Sequence, residues 1–340
     1  GRWYDNDVDK HDANLFARAS WTVARGLRLF GDLQYRYVSY QAWGVNDNYV
    51  SEEVGMQPID VDKQYHFFNP RAGVSYTLAE RNNFYLSFAV AQKEPTRSDF
   101  TDRYKFAADD TYPSSEKLYD WELGYQYTAP RLSLGVNLYY MKYKDQLVPT
   151  GMVNDDSNAL NTNVPDSYRR GVELSASWRA TGWFTVGANA TFSQNRIENY
   201  VDALKDSPTY GKELGDMTIA YSPDVIANAF LNFHHRGFEA VFHTQHVGKQ
   251  YFTNNENDAL SLDAYCVTNL NLAYTFRTRS ARSVRLGLLI NNLFNAEYES
   301  NGYGYSYMDT WSGPAPVRID EAYYFPQAPL NVLANVTVKF

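Results

Sequence analysis

Apolar and polar residues alternate with a period of two along most of this chain. At its end, Val332, Ala334, Val336, Val338 and Phe340 interleave with Leu333, Asn335, Thr337 and Lys339. Successive strand side chains point to opposite faces, so the pattern reads as a strand with one apolar face. The same pattern appears near the start, with Leu15, Ala17, Ala19, Trp21 and Val23, and then with Leu29, Leu33, Tyr35 and Tyr37. It returns with Phe84, Leu86, Phe88 and Val90, with Leu132, Leu134, Val136, Leu138 and Tyr140, and with Phe184, Val186, Ala188, Ala190 and Phe192. Residues 1–10 read as polar and irregular. After them the pattern predicts strands near 14–23, 27–43, 64–79, 82–95, 116–129, 131–148, 166–180, 183–200, 222–235, 238–252, 262–276 and 283–299, then the terminal strand.

That makes about 13 strands, and their connections alternate short and long. Tight turns fall at 24–26, 80–81, 129–131, 181–182, 235–237 and 277–282. Long loops fall at 44–63, 96–115, 149–165, 201–221, 253–261 and 300–326. Antiparallel strands need only tight turns. Gathering every long loop at one end is the habit of a bacterial outer-membrane barrel, with short periplasmic turns and long outer loops. The repeating face of Leu, Val, Phe and Ala suits lipid, and the opposite face of Arg, Glu, Asp, Asn, Ser and Gly suits a lumen. A soluble barrel would carry the reverse polarity. The expected fold is therefore all-β, a transmembrane antiparallel barrel wall.

Composition sharpens this picture. The chain has 340 residues, 29 of them Tyr, and 16% aromatic residues, which favour strands and membrane interfaces. Mean hydropathy is −0.51, as expected when only alternate strand residues meet lipid and long loops dilute the signal. No apolar run reaches the ~18 residues of a transmembrane helix. The single cysteine, Cys266, excludes an intrachain disulfide and a Cys-based zinc site. No signal peptide stands at Gly1, which for a barrel implies processing or truncation. Barrel termini lie on the periplasmic side and require an even strand count. An odd count that starts on the outer side thus favours missing upstream chain. A strand hidden in 1–10 would instead give a self-contained 14-stranded barrel.

Several stretches carry a family resemblance. INNLFNAEYES at 290–300, VTNLNLAYTF at 267–276 and the terminal strand resemble the C-terminal end of TonB-dependent outer-membrane receptors. QKEPTRSDF at 92–100, SSEKLYDWELGYQY at 114–127 and RRGVELSASW at 169–178 are similar to further segments of the same family, in the same order. The resemblance implies that residues 1–340 are the C-terminal part of a 22-stranded barrel, about its last 13 strands. It also implies an N-terminal plug and first strands outside this sequence, with the plug making the contact to TonB. The implied activity is import of a scarce metal chelate across the outer membrane of a Gram-negative bacterium. A ferric siderophore comes first, with cobalamin or haem as alternatives. Such a protein is a transporter without chemical turnover and with no cofactor. Its partners are TonB, the chelate, and outer-membrane lipid and lipopolysaccharide, with no nucleic acid.

Ligand contacts would lie in the long loops. The candidates are Arg97, Tyr104, Tyr112, Tyr210, Tyr303, Tyr305, Tyr307 and Trp311. Aromatic rings in a concave mouth grip a flat chelate, and Arg97, with Arg103 and Lys105, would pair with an anionic one. The bland alternatives are interfacial packing for the tyrosines and solvated loop charge for the cations. Acidic loop residues such as Asp47, Glu52, Asp60, Asp202 and Glu256 oppose an anionic ligand. They suit calcium or divalent bridges to lipopolysaccharide, or plain solvation. Haem receptors of the family resemble one another in two elements flanking a loop histidine. Here those stretches read KEPT at 93–96 and YPSS at 112–115, with no histidine between. His243 and His246 differ by three and face opposite sides of a strand, so they do not make one metal site. The polar-face set Arg18, Arg28, Asp32, Arg36, Arg71, Glu122, Glu173, Arg179, Arg285 and Lys339 reads as lumen lining. A passive porin-like channel and a barrel hydrolase are the competing classes. The hydrolase would need a Ser/His constellation near a girdle, and none is evident.

Overall fold

The computed structural model describes residues 5–101, 112–153, 159–204 and 207–340. The first half contains Asp5–Ala24 (β1), Leu27–Ser51 (β2), Gly55–Leu78 (β3), Asn82–Lys93 (β4), the short helix Arg97–Thr101 (α1), Glu116–Thr128 (β5), Leu132–Val153 (β6), Ala159–Arg179 (β7) and Phe184–Ile197 (β8). Then follow Met217–Thr218 (β9), Val225–His235 (β10), Phe238–Val247 (β11), Gln250–Tyr251 (β12), Ser261–Leu262 (β13), Tyr265–Phe276 (β14), Ser283–Asn291 (β15), Glu299–Asp309 (β16), Val317–Pro326 (β17) and Asn331–Lys339 (β18).

Thirteen strands pair in chain order from β1 through β8, then β10, β11, β14, β15 and β18, with β9 a short rung on β8. Every pairing is antiparallel. The sheet does not close: among the described residues β1 and β18 each have a neighbour on one side only. Among the described residues Asp5–Asp12 is the outer arm of β1 and not a separate strand, so the extra strand that a self-contained 14-stranded barrel would need in 1–10 is not found there.

The register aligns the apolar face across the sheet. One cross-strand row runs Trp21, Leu29, Val74, Leu86, Leu123, Leu138, Val172, Phe192, Val225 without a polar interruption. Leu86 and Leu123 are half exposed although they sit in the middle of the sheet. An apolar row of this extent is stable only when lipid covers it. Aromatic rings mark both borders. Phe88, Trp121 and Tyr140 are in contact toward the outer side (ring centroids 5.1 and 5.7 Å). Trp183, Phe184 and Phe233 cluster toward the short turns, with Phe184 stacked 4.5 Å from Phe233. The opposite face is polar and cross-linked: Arg18 pairs with Asp32 at 3.3 Å, Asn137 donates to Glu173 at 3.1 Å, and Arg285 donates to Glu239 at 2.8 Å.

The strands run beyond the apolar band, and here the sequence-based boundaries need correction. The expected loop 44–63 is mostly the paired arm of β2 and β3, and the loop expected from 149 is the arm of β6 and β7. Outside the membrane the polarity rule changes, since water lies on the outer side. Tyr40, Ala42, Ile59 and Val61 form an inward apolar cluster covered by Phe100 of α1. A search for outward apolar alternation misses such arms. The 300–326 stretch, expected as a loop, is largely the β16–β17 hairpin. β15 stops at Asn291 rather than 299 because Asn292 and Asn295 adopt left-handed φ values of 51° and 52°.

Where the wall meets α1, Arg36 is clamped between two carboxylates. It donates to Asp12 through Nε at 3.1 Å and to Glu94 through Nη1 and Nη2 at 2.8 and 2.9 Å. Lys10 adds a 2.8 Å bond to Glu94, which is only 7% exposed just past the end of β4. Burial alone raises the Glu94 pKa, but the bonds from Lys10 and Arg36 outweigh it and hold the carboxyl below its ordinary 4.5. A depressed folded-state pKa means that this stabilisation is complete above pH 4.5 and is lost as pH falls through the lower folded value. Hydrogen exchange over 94–101 is therefore expected to accelerate on acidification below pH 4.5. In Glu94→Gln that acid step is expected to shrink severalfold.

Candidate ligand-binding site

The arms above the membrane are tied together by buried contacts. Phe252, Leu260 and Leu262, from the β11–β14 connection, form a core against which Ala322 packs. The even-numbered face of the β16–β17 hairpin rests on it. A Cβ on Gly302 would lie 2.7 Å from the Phe252 ring, and one on Gly304 would lie 2.9 Å from both Phe252 and Leu260. Glycine at both positions lets the hairpin backbone approach this closely. Asn254, fully buried, accepts from the Ala220 N–H at 2.7 Å and donates to the Pro149 carbonyl at 2.5 Å. It thereby joins the β6 arm to the segment after β9.

Pairing of Tyr303 with Tyr323 and Tyr305 with Glu321 places the odd-numbered face of the hairpin away from that core. Tyr303 stacks on Tyr323 at 4.9 Å and 14°, and Tyr305 lies 6.3 Å from Tyr323. Three phenols converge on one carboxylate. Tyr305 and Tyr323 donate to Glu321 Oε2, each at 2.7 Å, and Tyr307 donates to Oε1 at 3.1 Å. These bonds hold the Glu321 carboxyl below its usual range and push all three phenols above theirs. At neutral pH the centre is thus one carboxylate ringed by protonated phenols, with exposed ring faces beside it. It can stack a flat ring, whereas direct metal ligation by the phenols would require removing the protons they donate to Glu321.

Tyr303, Tyr305 and Tyr307 are therefore brought together, with Trp311 87% exposed at the hairpin turn. Arg97 and Tyr112 belong to a different cluster. Arg97 donates to Asn6 of β1, and Tyr112 packs edge-on to Phe100 at 5.8 Å with its hydroxyl on the Asp60 carbonyl. Lys63 sits 5.3 Å over the Tyr112 ring. Tyr210 borders a third recess, with Thr150, Val164, Tyr200 and Asp202, of about 280 Å³. Burial there pushes the Tyr200 hydroxyl to about 12. Tyr104, with Arg103 and Lys105, lies outside the described residues. Sequence reasoning missed Glu321, since one acid among aromatics carries no signal until pairing sets it opposite Tyr305. It also missed Phe252 and Asn254, which act through contacts distant in the chain. Among the described residues no group of His, Cys, Asp and Glu is placed to hold a metal.

A lipid-facing antiparallel wall with polar interior and long, interlocked outer arms defines a membrane β-barrel protein. The chain belongs to the TonB-dependent receptor-like β-barrel family, whose sequence model matches residues 1–293. Solved structures agree in fold. The ferric yersiniabactin uptake receptor FyuA from Yersinia pestis is similar, with a TM-score of 0.70 at 17% identity, covering 98% of this chain and 46% of that one. The copper transporter OprC gives 0.72 at 19% identity, covering 97% and 48%. The siderophore receptor PiuA from Acinetobacter baumannii gives 0.72 at 13%, covering 98% and 43%. The chain spans about half the length of these structures.

Proposed function

We propose that this chain is the C-terminal wall of a 22-stranded outer-membrane transporter that imports a scarce metal chelate, with a ferric siderophore as the favoured cargo. A plug in the N-terminal part of the receptor would couple it to TonB. Unpaired backbone groups cost several kcal/mol each in lipid, so the free edges of β1 and β18 favour further strands that close the wall. Membership of the family supports energy-coupled uptake over a passive porin-like channel. Relatives described as ferric-chelate receptors support the cargo class, and the one described as a copper transporter shows that the fold admits other metals. The observation that carries the reading is the exposed tyrosine face held together by Glu321, which offers stacked rings to an aromatic chelate.

The test is uptake of radiolabelled ferric catecholate by cells that hold the full-length receptor as their only ferric-chelate route. Uptake that stops without TonB or with an uncoupler is expected. Uptake indifferent to both would overturn the proposal in favour of a passive channel. Tyr303→Ala with Tyr323→Ala is expected to weaken binding about tenfold, equivalent to ~1.4 kcal/mol.

A further inference from the structure

The odd-numbered face of the β16–β17 hairpin carries more than separate tyrosines. Five rings follow one another across it in the order Phe325, Tyr303, Tyr323, Tyr305 and Tyr307, with centroid separations of 6.1, 4.9, 6.3 and 6.4 Å. Phe325, Tyr303, Tyr323 and Tyr307 are exposed. Three of the phenols donate to Glu321 and engage both of its carboxylate oxygens. What Glu321 offers a ligand is therefore its charge. A phenol that donates to a carboxylate is polarised and gains electron density in its ring. An electron-rich ring face attracts a cation.

The local charge has the same sign. Residues 299–326 hold four acids, Glu299, Asp309, Asp320 and Glu321, against one cation, Arg318. Arg318 stands on the even-numbered face, where it donates to Asp320 at 2.9 Å and to Ser306 at 3.0 Å. Asp309 shares the odd-numbered face by register. Elsewhere in the chain, tyrosine rings near the outer side already carry a cation of the protein. Lys63 lies 5.3 Å over Tyr112, Lys117 lies 4.9 Å over Tyr119, and Lys249 lies 4.9 Å over Tyr251. Among the described residues no Lys or Arg lies over any of the five hairpin rings. The aromatic face tied to a carboxylate is thus the one left without a cation of its own.

We propose that this face recognises its chelate by a cationic group: an alkylammonium arm of an aromatic metal chelate lies on the Tyr303, Tyr305 and Tyr323 rings beside Glu321. The preference rests on reading this face as the chelate contact, and it names the class of chelate. A cation seated over Tyr305 or Tyr323 is well inside the ~8 Å Debye length of the Glu321 carboxylate, because both hydroxyls touch it. A polyanionic chelate meets Glu321 and Asp309 as repulsion, which sets the discrimination.

Two ferric catecholates on one backbone test it, one ending in a free alkylamine and the other in its N-acetyl amide. Each is titrated against the detergent-solubilised full-length receptor at neutral pH. The ammonium form is expected to bind at least fivefold more tightly. Tetramethylammonium chloride should displace it at concentrations where sodium chloride does not. Glu321→Gln should bring the ratio of the two affinities close to one. Equal affinity of the wild-type receptor for both chelates would overturn the cationic preference and leave the aromatic contact standing. A preference that survives in Glu321→Gln, with hydrogen exchange over 299–326 unchanged, would place the cation elsewhere and also overturn it. If exchange there quickens in that variant, the competition decides: no displacement by tetramethylammonium contradicts the proposal. Binding of neither chelate would remove the chelate reading of this face, and the preference with it.

Discussion

Truncating Phe252 to Ala is expected to destabilise the outer arms by about 3–5 kcal/mol, the range for removing a buried aromatic side chain. Phe252 is 1% exposed and touches much that holds the mouth together. It packs with Leu260 and Leu262, meets Tyr221 and Tyr324 at 5.8 Å each, and lies against Gly302 and Gly304. Its loss removes the seat of the β16–β17 hairpin while leaving the thirteen-strand wall untouched. The variant should insert normally, lose hydrogen-exchange protection over 299–326, and bind ferric chelate more weakly because Tyr303, Tyr305 and Glu321 no longer hold one arrangement. Phe252→Leu, which keeps most of the volume, should cost roughly 1.5 kcal/mol or less. Gly304→Val should unseat the hairpin from the opposite side, since its side chain would enter the space of Phe252 and Leu260. Unchanged protection in both Phe252→Ala and Gly304→Val would show that the hairpin is held elsewhere.

Leu123→Arg is expected to cost about 2–4 kcal/mol, as a cation on the lipid face near the bilayer midplane does. Leu123 stands between Leu86 and Leu138 in the unbroken apolar row, about midway along the membrane portion of β5. Gln126→Arg, on the same strand but facing the lumen, should change stability by about 0.5 kcal/mol or less. Urea titration of the receptor in phospholipid bilayers, followed by loss of the heat-modifiable band, separates the two. Equal costs at both positions would contradict the assignment of faces.

The wall was legible in the sequence because lipid and lumen impose a strict period of two on every strand. Leu132 to Tyr140 and Phe184 to Phe192 carry that signal unaided, and the tight turns at 129–131 and 181–182 mark where it reverses. Above the membrane the constraint disappears. Tyr40 and Val61 are apolar on the inner face and Asp60 is polar on the outer, so the β2–β3 arm looked like an acidic loop. The candidate site was half legible for the same reason. Tyr303, Tyr305 and Tyr307 stood out as a cluster with spacing two, which already places them on one face of a strand. Their common partner Glu321 depends on hairpin register, and their support on Phe252 depends on a fold-back across the mouth, neither of which a local pattern encodes. Arg97 and Tyr112 looked like free ligand contacts because the contacts to Asn6 and Phe100 that engage them are set by tertiary packing.

The most direct test of the membrane-wall account is a nitroxide scan along β6 in a Cys266→Ser background. One spin label at a time is placed at residues 134 to 139 of the receptor reconstituted in bilayers. Oxygen, which concentrates in lipid, should relax the labels strongly at 134, 136 and 138 and weakly at 135, 137 and 139. A reversed phase, or accessibility without a period of two, would contradict the account.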